Sequence, residues 1–244
     1  MRKPIPECFG LKFLGYSIEE LDYLLLRDNF EHISTVNAEF IVTAYENNDD
    51  RFLNILKNSI CTMDGEIPLW IAKLVGKETK LLNKVSGSSY STHLLELCAE
   101  KKLKVFFLGG NSSSIESLLN IYPDRNLIDA YSPKFEDYPF SQSNTNEIRS
   151  KLSKFKPDVL LVGFGAQKQE FWIDDNKSYL ESIGVRASIG VGGTFEFLSG
   201  GISRAPELVQ KLGLESIYRL AQQPSLYRIK RIIKSLKVFL YINK

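Results

Sequence analysis

Two short polar segments of this chain could carry chemistry, and each follows an apolar run. Asp64 comes directly after the run ICTM at 60–63, and the segment QKQE at 167–170 follows the run VLLV at 159–162. A carboxylate such as Asp64 could act as a general base, and amide and carboxylate side chains could hydrogen-bond a polar ligand. Both segments also have a structural interpretation: Asp-Gly pairs are typical of turns, and QKQE could be the solvated first turn of a helix.

Glycine and small polar residues end the other apolar runs as well. They are Thr35, Asn37, Gly109, Gly110, Gly163, Gly165, Gly192 and Gly193. Glycine lets the chain turn sharply and lets a ligand approach the backbone, and amides near a helix N-terminus favour anions. Ordinary turns for the glycines and a helix cap for Thr35 and Asn37 are the alternatives.

The elements that must position these residues alternate along the chain. Strand patterns at 32–36, 60–63, 104–108, 126–130, 158–162 and 185–191 alternate with amphipathic helix patterns, and 76–90 and 132–145 are predicted to be loops. This alternation predicts an α/β fold with a Rossmann-like, mainly parallel sheet flanked by helices. Parallel strands end at one edge of a sheet, so the polar and glycine residues are expected to converge there.

The last fifty residues differ from the rest. From Ser216 to Lys244 there are Lys and Arg residues but no Asp or Glu, and apolar residues recur at helical spacing from Leu226 to Leu240. Two short helices broken at Gly213 and a final helix beginning at Pro224 are predicted. We interpret 1–206 as an α/β catalytic domain and 207–244 as a basic amphipathic appendage that docks on a membrane and covers the active site. A plain helix packed on the body is the alternative.

The composition excludes few classes of protein. The chain has 244 residues, a formal net charge of +2 and three scattered cysteines, which fit a reducing compartment and give no metal-ligand spacing. Neither a signal peptide nor an apolar run long enough to span a membrane is recognisable, so a cytoplasmic protein is expected. His32 and His93 have no partners at ligand spacing and are interpreted as structural.

Six segments together carry a resemblance to a known family. They are ISTVNAEF (33–40), MDGEIPLWIAKLVG (63–76), FFLGG (106–110), DVLLVGFGAQKQEFWI (158–173), GVGGTFEFLSGGISRAPE (190–207) and GLESIYRLAQQPSLYRIKR (213–231). In this order they resemble the WecG/TagA/CpsF family of bacterial glycosyltransferases. The chain departs from the family's usual pattern at Gln167, where Pro is usual, at Glu196, where Asp is frequent, and at Ser216, where Trp is frequent.

The resemblance implies transfer of a hexose or N-acetylhexosamine, with inversion, from a UDP-sugar to a polyprenyl-diphosphate-linked saccharide. Teichoic acid, capsule and exopolysaccharide are products that the family makes. Asp64 is then the expected base, and Thr35, Asn37 and Gln169 are expected to position the sugar or acceptor. The other expected substrate-binding residues of the α/β body are Lys168, Glu170, Glu196 and the glycines named above.

The departing diphosphate needs a positive charge, which a metal or arginine could supply. No Asp-x-Asp metal motif follows a predicted strand, and the pairs Asp49-Asp50 and Asp174-Asp175 are interpreted as solvated. We therefore expect no metal and no other cofactor. Cationic side chains should stabilise the leaving group, because guanidinium pairs bidentately with phosphate oxygens. The candidates are Arg204, Arg219, Arg228 and Arg231, with Arg219 placed in the catalytic set.

The expected partners are a UDP-sugar, a polyprenyl-diphosphate saccharide, the anionic inner face of the cell membrane and a second copy of the chain, but no nucleic acid. A protein of this kind would be cytoplasmic and peripheral on the membrane. A non-catalytic nucleotide- or lipid-binding subunit of a polysaccharide assembly complex is the alternative function. A nicotinamide oxidoreductase is disfavoured because no GxGxxG turn follows the first strand.

Overall fold

A computed structural model of the chain describes residues 7–13, 17–46, 50–75 and 82–242. The strands are β1 (Glu7–Cys8), β2 (Leu11–Lys12), β3 (Glu31–Val36), β4 (Ile60–Met63), β5 (Val105–Gly109), β6 (Ile128–Tyr131), β7 (Val159–Gly163) and β8 (Ala187–Gly190). The helices are α1 (Ile18–Leu25), α2 (Ala38–Glu46), α3 (Asp50–Asn58), α4 (Glu66–Val75), α5 (Gly87–Lys101), α6 (Ser112–Ile121), α7 (Gln142–Phe155), α8 (Lys168–Asp175), α9 (Lys177–Ser182), α10 (Thr194–Leu198), α11 (Glu207–Lys211), α12 (Glu215–Gln222) and α13 (Leu226–Leu236), followed by a 3₁₀ helix (Lys237–Tyr241).

Six strands form one sheet in the order β4-β3-β8-β7-β5-β6. The pairs β3–β8, β8–β7, β7–β5 and β5–β6 are all parallel. The central strands are apolar along their length because helices cover both faces of a parallel sheet, which buries every side chain. The predicted Rossmann-like α/β fold is therefore confirmed, and β1 and β2 form a separate antiparallel pair.

The chain folds as two compact units. Unit 1 comprises residues 1–19, 35–86 and 202–244, and unit 2 comprises 20–34 and 87–201. The strand β3 passes from unit 2 into unit 1 after Ser34. The functional division at residue 206 stays a prediction.

The hydrophobic core of unit 2 lies between the sheet and the helices α7, α8 and α9. Phe106 and Leu160 of the sheet pack in this core with Ile148 of α7 and with Trp172 of α8, all of them fully or almost fully buried. The apolar spacing of each helix therefore places one face on the sheet. This packing fixes where β5 and β7 end, and hence where the glycine turns after them lie.

In unit 1 the last helices pack against α2. Arg231 of α13 pairs with Glu39, and Lys237 donates a 2.6 Å hydrogen bond to Glu46. The rings of Tyr45 and Tyr241 stack with their centroids 5.2 Å apart. Three side chains of the final segment are thus tied to α2, and Val238 of the 3₁₀ helix is fully buried.

Most predicted elements are confirmed, and two loop predictions are wrong at their ends. The helix α5 begins at Gly87, inside the segment predicted to be a loop, and α7 begins at Gln142, inside the other. Ser141 caps α7 by accepting a 3.3 Å bond from the Asn144 backbone, so a polar stretch that looked irregular is a capped first turn. The break between α11 and α12 is confirmed, with Gly213 at a φ of 70°.

Parts of three predictions fall outside the described residues. The apolar pattern at 11–16 also predicts an edge strand. It is present as β2 at 11–12, and 14–16 lie outside the described part of the chain. The described residues also exclude 76–81 of the first predicted loop and Asp49 of the pair Asp49-Asp50. Across the described ranges, no helix combines the length and the apolar character that crossing a bilayer requires.

Candidate active site

In unit 1 the ends of two neighbouring strands bring Asp64 next to the end of β3. Asp64 immediately follows β4, and its backbone N–H donates a 2.8 Å bond to the carbonyl of Val36. Gly65 then takes a φ of 99°, which favours glycine and turns the chain into α4. The side chain of Asp64 is half-buried. The turn interpretation of Asp-Gly is thus correct, and it leaves a carboxylate at the strand end.

Thr35 and Asn37 lie at the adjacent end of β3. Thr35 is buried within the strand, and Asn37 precedes α2. The Oδ1 atom of Asn37 accepts a 3.2 Å bond from the Phe40 backbone, so Asn37 does cap the helix. The role of both residues in positioning a substrate stays a prediction.

Arginines of the last helices share this part of unit 1 with Asp64. Burial lowers the pKa of Arg219 to about 10, while Glu215 and Asp64 act to raise it and Arg228 and Arg231 act to lower it. Arg219 therefore remains a cation at neutral pH. Arg219 is thus within electrostatic reach of two carboxylates, Glu215 and Asp64, and of two other guanidinium groups.

Arg231 has a second acidic partner. Its Nε donates a 2.6 Å hydrogen bond to Glu39, whose side chain is only 13% exposed. Burial lowers the pKa of Arg231, but Glu39, Tyr227 and Asp64 outweigh it, and the net shift is upward. Glu39 was missed from the sequence, because nothing local links it to a residue 192 positions away. Arg204, the remaining candidate, is exposed between α10 and α11.

In unit 2 several predicted glycines have a packing role. A Cβ on Gly110 would lie 2.8 Å from the Phe195 ring, and one on Gly163 would lie 2.7 Å from it. A Cβ on Gly109 would meet Gly163 at 2.9 Å. These three glycines let the ends of β5 and β7 approach each other and the ring of Phe195, a residue that the sequence analysis did not single out.

Other glycines of unit 2 are open. Nothing lies within 4 Å of a Cβ built on Gly165 or Gly192, whose φ angles are 87° and 54°. Gly193 is exposed, and a Cβ on it would have only Glu196 nearby, at 4.0 Å. The turns after β7 and β8 therefore have open space beside these glycines, and their contact with a ligand stays a prediction.

Gln169 and Glu170 are buried, which the sequence did not indicate. Their exposures are 1% and 0%, and the Nε2 of Gln169 donates a 2.8 Å bond to Oε1 of Glu170. Burial raises the pKa of Glu170 to about 8, although bonds from Gln169 and from the backbone lower it. The solvated-turn interpretation is wrong for these two side chains, and a direct contact with sugar stays a prediction.

Lys168 points to a different segment of unit 2. Its Nζ donates a 2.9 Å bond to Asp137 and a 3.1 Å bond to the carbonyl of Glu136, and it lies 4.9 Å from the centre of the Phe135 ring. This lysine therefore ties the segment after β6 to the start of α8. Its role as a substrate-binding residue remains a prediction.

The structure thus gathers the predicted residues into two sets. Asp64, Thr35, Asn37 and the arginines belong to unit 1, and the glycine turns, Lys168, Gln169, Glu170 and Glu196 belong to unit 2. That Asp64 and Gln169 face one shared site stays a prediction. No group of three or more His, Cys, Asp or Glu side chains suited to a metal ion occurs among the residues that the structure describes.

Comparison with known proteins identifies the family. The protein-family model described as "Glycosyl transferase WecG/TagA/CpsF family" matches residues 7–243 of this chain. The chain therefore belongs to the WecG/TagA/CpsF family of glycosyl transferases, as the six sequence segments predicted.

Similar proteins share one name, N-acetylglucosaminyldiphosphoundecaprenol N-acetyl-beta-D-mannosaminyltransferase. The protein of Staphylococcus aureus strain NCTC 8325 is 30% identical over an aligned length of 245 residues. The alignment covers 93% of this chain and 89% of that protein. That of Bacillus spizizenii is 29% identical over 201 residues, with 80% and 73% covered. That of Bacillus subtilis strain 168 is 26% identical over 216 residues, with 87% and 78% covered.

Proposed function

We propose that this protein transfers a hexose or N-acetylhexosamine from a UDP-sugar to a polyprenyl-diphosphate-linked saccharide in the synthesis of a cell-surface polysaccharide. The observation that carries the proposal is the half-buried Asp64 carboxylate at the end of β4, which lies next to the end of β3 and within electrostatic reach of Arg219 and Arg231 in unit 1. A base beside cations is what transfer from a sugar diphosphate requires. The relatives support the acceptor class, since their name specifies an N-acetylglucosaminyl-diphospho-undecaprenol.

In the proposed reaction Asp64 takes the proton of an acceptor hydroxyl. The hydroxyl oxygen forms a bond to the anomeric carbon from the face opposite UDP. The bond between that carbon and the diphosphate oxygen breaks, and its electron pair leaves with UDP, so the configuration inverts. Thr35 and Asn37, at the end of the adjacent strand, would hold the sugar or the acceptor in line for this displacement.

The arginines would take up the negative charge that develops on UDP. Arg219 keeps its proton at neutral pH because its pKa is about 10, and its planar guanidinium can pair with two phosphate oxygens. Arg204, Arg228 and Arg231 are further candidates for this contact. We propose that these cations make a metal ion unnecessary.

The turns of unit 2 would bind the nucleotide sugar. Gly165, Gly192 and Gly193 have open space beside their backbone, and Glu196 follows in the first turn of α10. Gly109, Gly110 and Gly163 would shape the same turns through their packing, and Lys168 would act at the edge of this region. The identity of the sugar depends on contacts that these residues make.

We further propose that the C-terminal helices dock on the anionic inner face of the cell membrane. On α13 and the 3₁₀ helix, Leu226 is 78% exposed and Leu240 is 75% exposed. Lys and Arg side chains accompany them, and no acidic residue occurs from 216 to 244. Apolar insertion and attraction to anionic lipid would bring the enzyme to an acceptor that is itself a membrane lipid.

The proposal is tested by measuring UDP release with N-acetylglucosaminyl-diphosphate lipid as acceptor and a panel of UDP-sugars as donors. Asp64→Asn is expected to lower kcat by about 100-fold or more, because the base is lost. Asp50→Asn, which changes an exposed carboxylate on α3, should leave kcat unchanged. Full turnover by Asp64→Asn would refute the assignment of the base, and loss of wild-type activity in EDTA would refute metal independence.

A further inference from the structure

A chain of three hydrogen bonds joins the turn after β7 to the turn after β8. The Gly192 N–H donates to Oε1 of Gln169 over 3.0 Å, and the Nε2 of Gln169 donates to Oε1 of Glu170 over 2.8 Å. The Gln167 N–H donates to the other carboxyl oxygen of Glu170 over 2.9 Å. The Oε1 and Nε2 atoms of Gln169 and both carboxyl oxygens of Glu170 therefore each have a protein partner.

The backbone of β8 lies very close to both side chains of this pair. A Cβ on Gly190, the last residue of β8, would lie 2.5 Å from Oε1 of Glu170 and 2.6 Å from Nε2 of Gln169. Any side chain at position 190 would thus displace both groups. The two side chains fill space against β8 that only glycine leaves open.

The turns that the pair connects are the parts open to a ligand. Gly165 and Gly192 have nothing within 4 Å of a built Cβ, whereas Gln169 and Glu170 are almost fully buried. Gln167, between them, has a φ of 69°, a conformation that costs a residue with a side chain about 1 kcal/mol or more. The bond from its N–H to Glu170 helps to hold that conformation.

We infer that Gln169 and Glu170 are positioning residues, which fix the spacing of the two turns while the backbone of those turns contacts the donor. The inference rests on the proposed function, since it assigns donor binding to unit 2. It replaces direct contact between these two side chains and a sugar. A displacement of either turn by a fraction of an ångström would misplace the donor and slow transfer.

Exchanging the two residues tests this inference. Gln169→Glu removes the Nε2 donor and sets two carboxyl groups side by side. The double variant Gln169→Glu/Glu170→Gln retains all three bonds. The Gly192 N–H and the new amide at position 170 both donate to the new carboxylate at 169, and the Gln167 N–H donates to the amide oxygen at 170.

We expect Gln169→Glu to lower kcat/KM for the donor by roughly 10- to 100-fold, because the bond between the two side chains is lost and buried polar atoms are left without a partner. The double variant should return to within about fivefold of wild type. Kinetics are measured at a temperature where circular dichroism shows every variant folded, and kcat and KM are reported separately. Glu170→Gln serves as a milder single variant if Gln169→Glu does not fold. Gln142→Glu, the same change at an exposed position of unit 2, is the control.

Each outcome decides the matter. Recovery by the exchange supports positioning, because a side chain that itself bonds the sugar would not tolerate a swap of amide and carboxylate. A double variant as impaired as Gln169→Glu overturns the inference, and so does a change in melting temperature alone with unaltered kinetics. If wild-type protein releases no UDP with any donor, the proposed function fails instead, so the two failures are distinguishable.

Discussion

Glu170 is a carboxyl group enclosed by protein on all sides. Its burial raises the pKa to about 8 from a usual 4.5, so the folded protein retains a proton there that the unfolded chain has lost. Between these two pKa values the folded state binds more protons than the unfolded state. The free energy of unfolding that this residue contributes must therefore fall as the pH rises through that window.

This gives a first prediction, at the scale of one residue. The unfolding free energy of wild type, measured by urea denaturation, should fall relative to that of Glu170→Gln between about pH 5 and pH 8, because the variant has no carboxyl group to titrate. Below about pH 4.5 the difference should be constant. A difference that stays the same from pH 5 to 8, or grows with pH, would contradict the raised pKa.

Phe195 shows how one element shapes the ends of two strands. Its ring packs edge-on against Phe107, with the centroids 5.4 Å apart, and occupies the space beside Gly110 and Gly163. Gly110 and Gly163, which were predicted to lie beside a ligand, therefore lie against the helix α10. The short helix α10 can reach the sheet only because those positions lack a side chain.

A second prediction follows at the scale of this packing. Gly163→Ala should destabilise the protein by about 1–3 kcal/mol, since its Cβ would lie 2.7 Å from the Phe195 ring in a close-packed core. Adding Phe195→Leu should recover part of the loss. Gly193→Ala, with open space around its Cβ, is the control for stability by urea denaturation. Equal effects of Gly163→Ala and Gly193→Ala would show that the contact with Phe195 does not matter.

The last helices present a different surface from the one that they bury. The pairs Arg231–Glu39 and Lys237–Glu46 hold them to α2, whereas the large apolar side chains Leu226 and Leu240 are exposed. An exposed apolar row beside cations is typical of a helix that lies in a membrane interface.

The third prediction concerns that surface. The double variant Leu226→Gln/Leu240→Gln should bind vesicles containing phosphatidylglycerol at least about tenfold more weakly, because two apolar side chains no longer leave water. Its melting temperature should change little, as both side chains are already exposed. Ile121→Gln, at an exposed position of α6 in unit 2, should bind as wild type does. Sedimentation that does not distinguish the double variant from wild type would argue against docking by this surface.

At the scale of the whole molecule, family membership covers residues 7–243 and therefore both compact units. Unit 1 contains the Asp64 carboxylate and the arginines, and unit 2 contains the open turns. A glycosyl transferase needs to bind its donor before it transfers the sugar, so donor binding can be examined apart from catalysis.

A fourth prediction uses this separation. A UDP-sugar present at about 100 times its Kd should stabilise the folded protein by about 2.7 kcal/mol and raise its melting temperature by several degrees. Asp64→Asn should show the same rise, because the base acts on the acceptor. Arg219→Ala should show a smaller one, because a contact with the diphosphate is lost. A rise with every nucleoside diphosphate alike would mean that the uridine is not recognised.

The local pattern of the sequence was sufficient for most elements. The apolar runs that became β4, β5 and β7 are each bounded by glycine, proline or polar residues, and their length is that of a buried strand. The starts of α5 and α7 were not predictable in this way. Both first turns are polar, and in α7 a capping bond from the Asn144 N–H to Ser141 holds the first turn in place.

The sequence by itself determined the order of strands and helices, the sheet class and the family, because periodicity and short motifs are properties of neighbouring residues. Only the tertiary structure decided that Glu170 is enclosed, that Gly163 makes room for Phe195, and that Glu39 meets Arg231 from 192 residues away. Burial and pairing of this kind depend on which distant segments pack together. That packing arises from the whole chain and leaves no mark within the few residues that a motif spans.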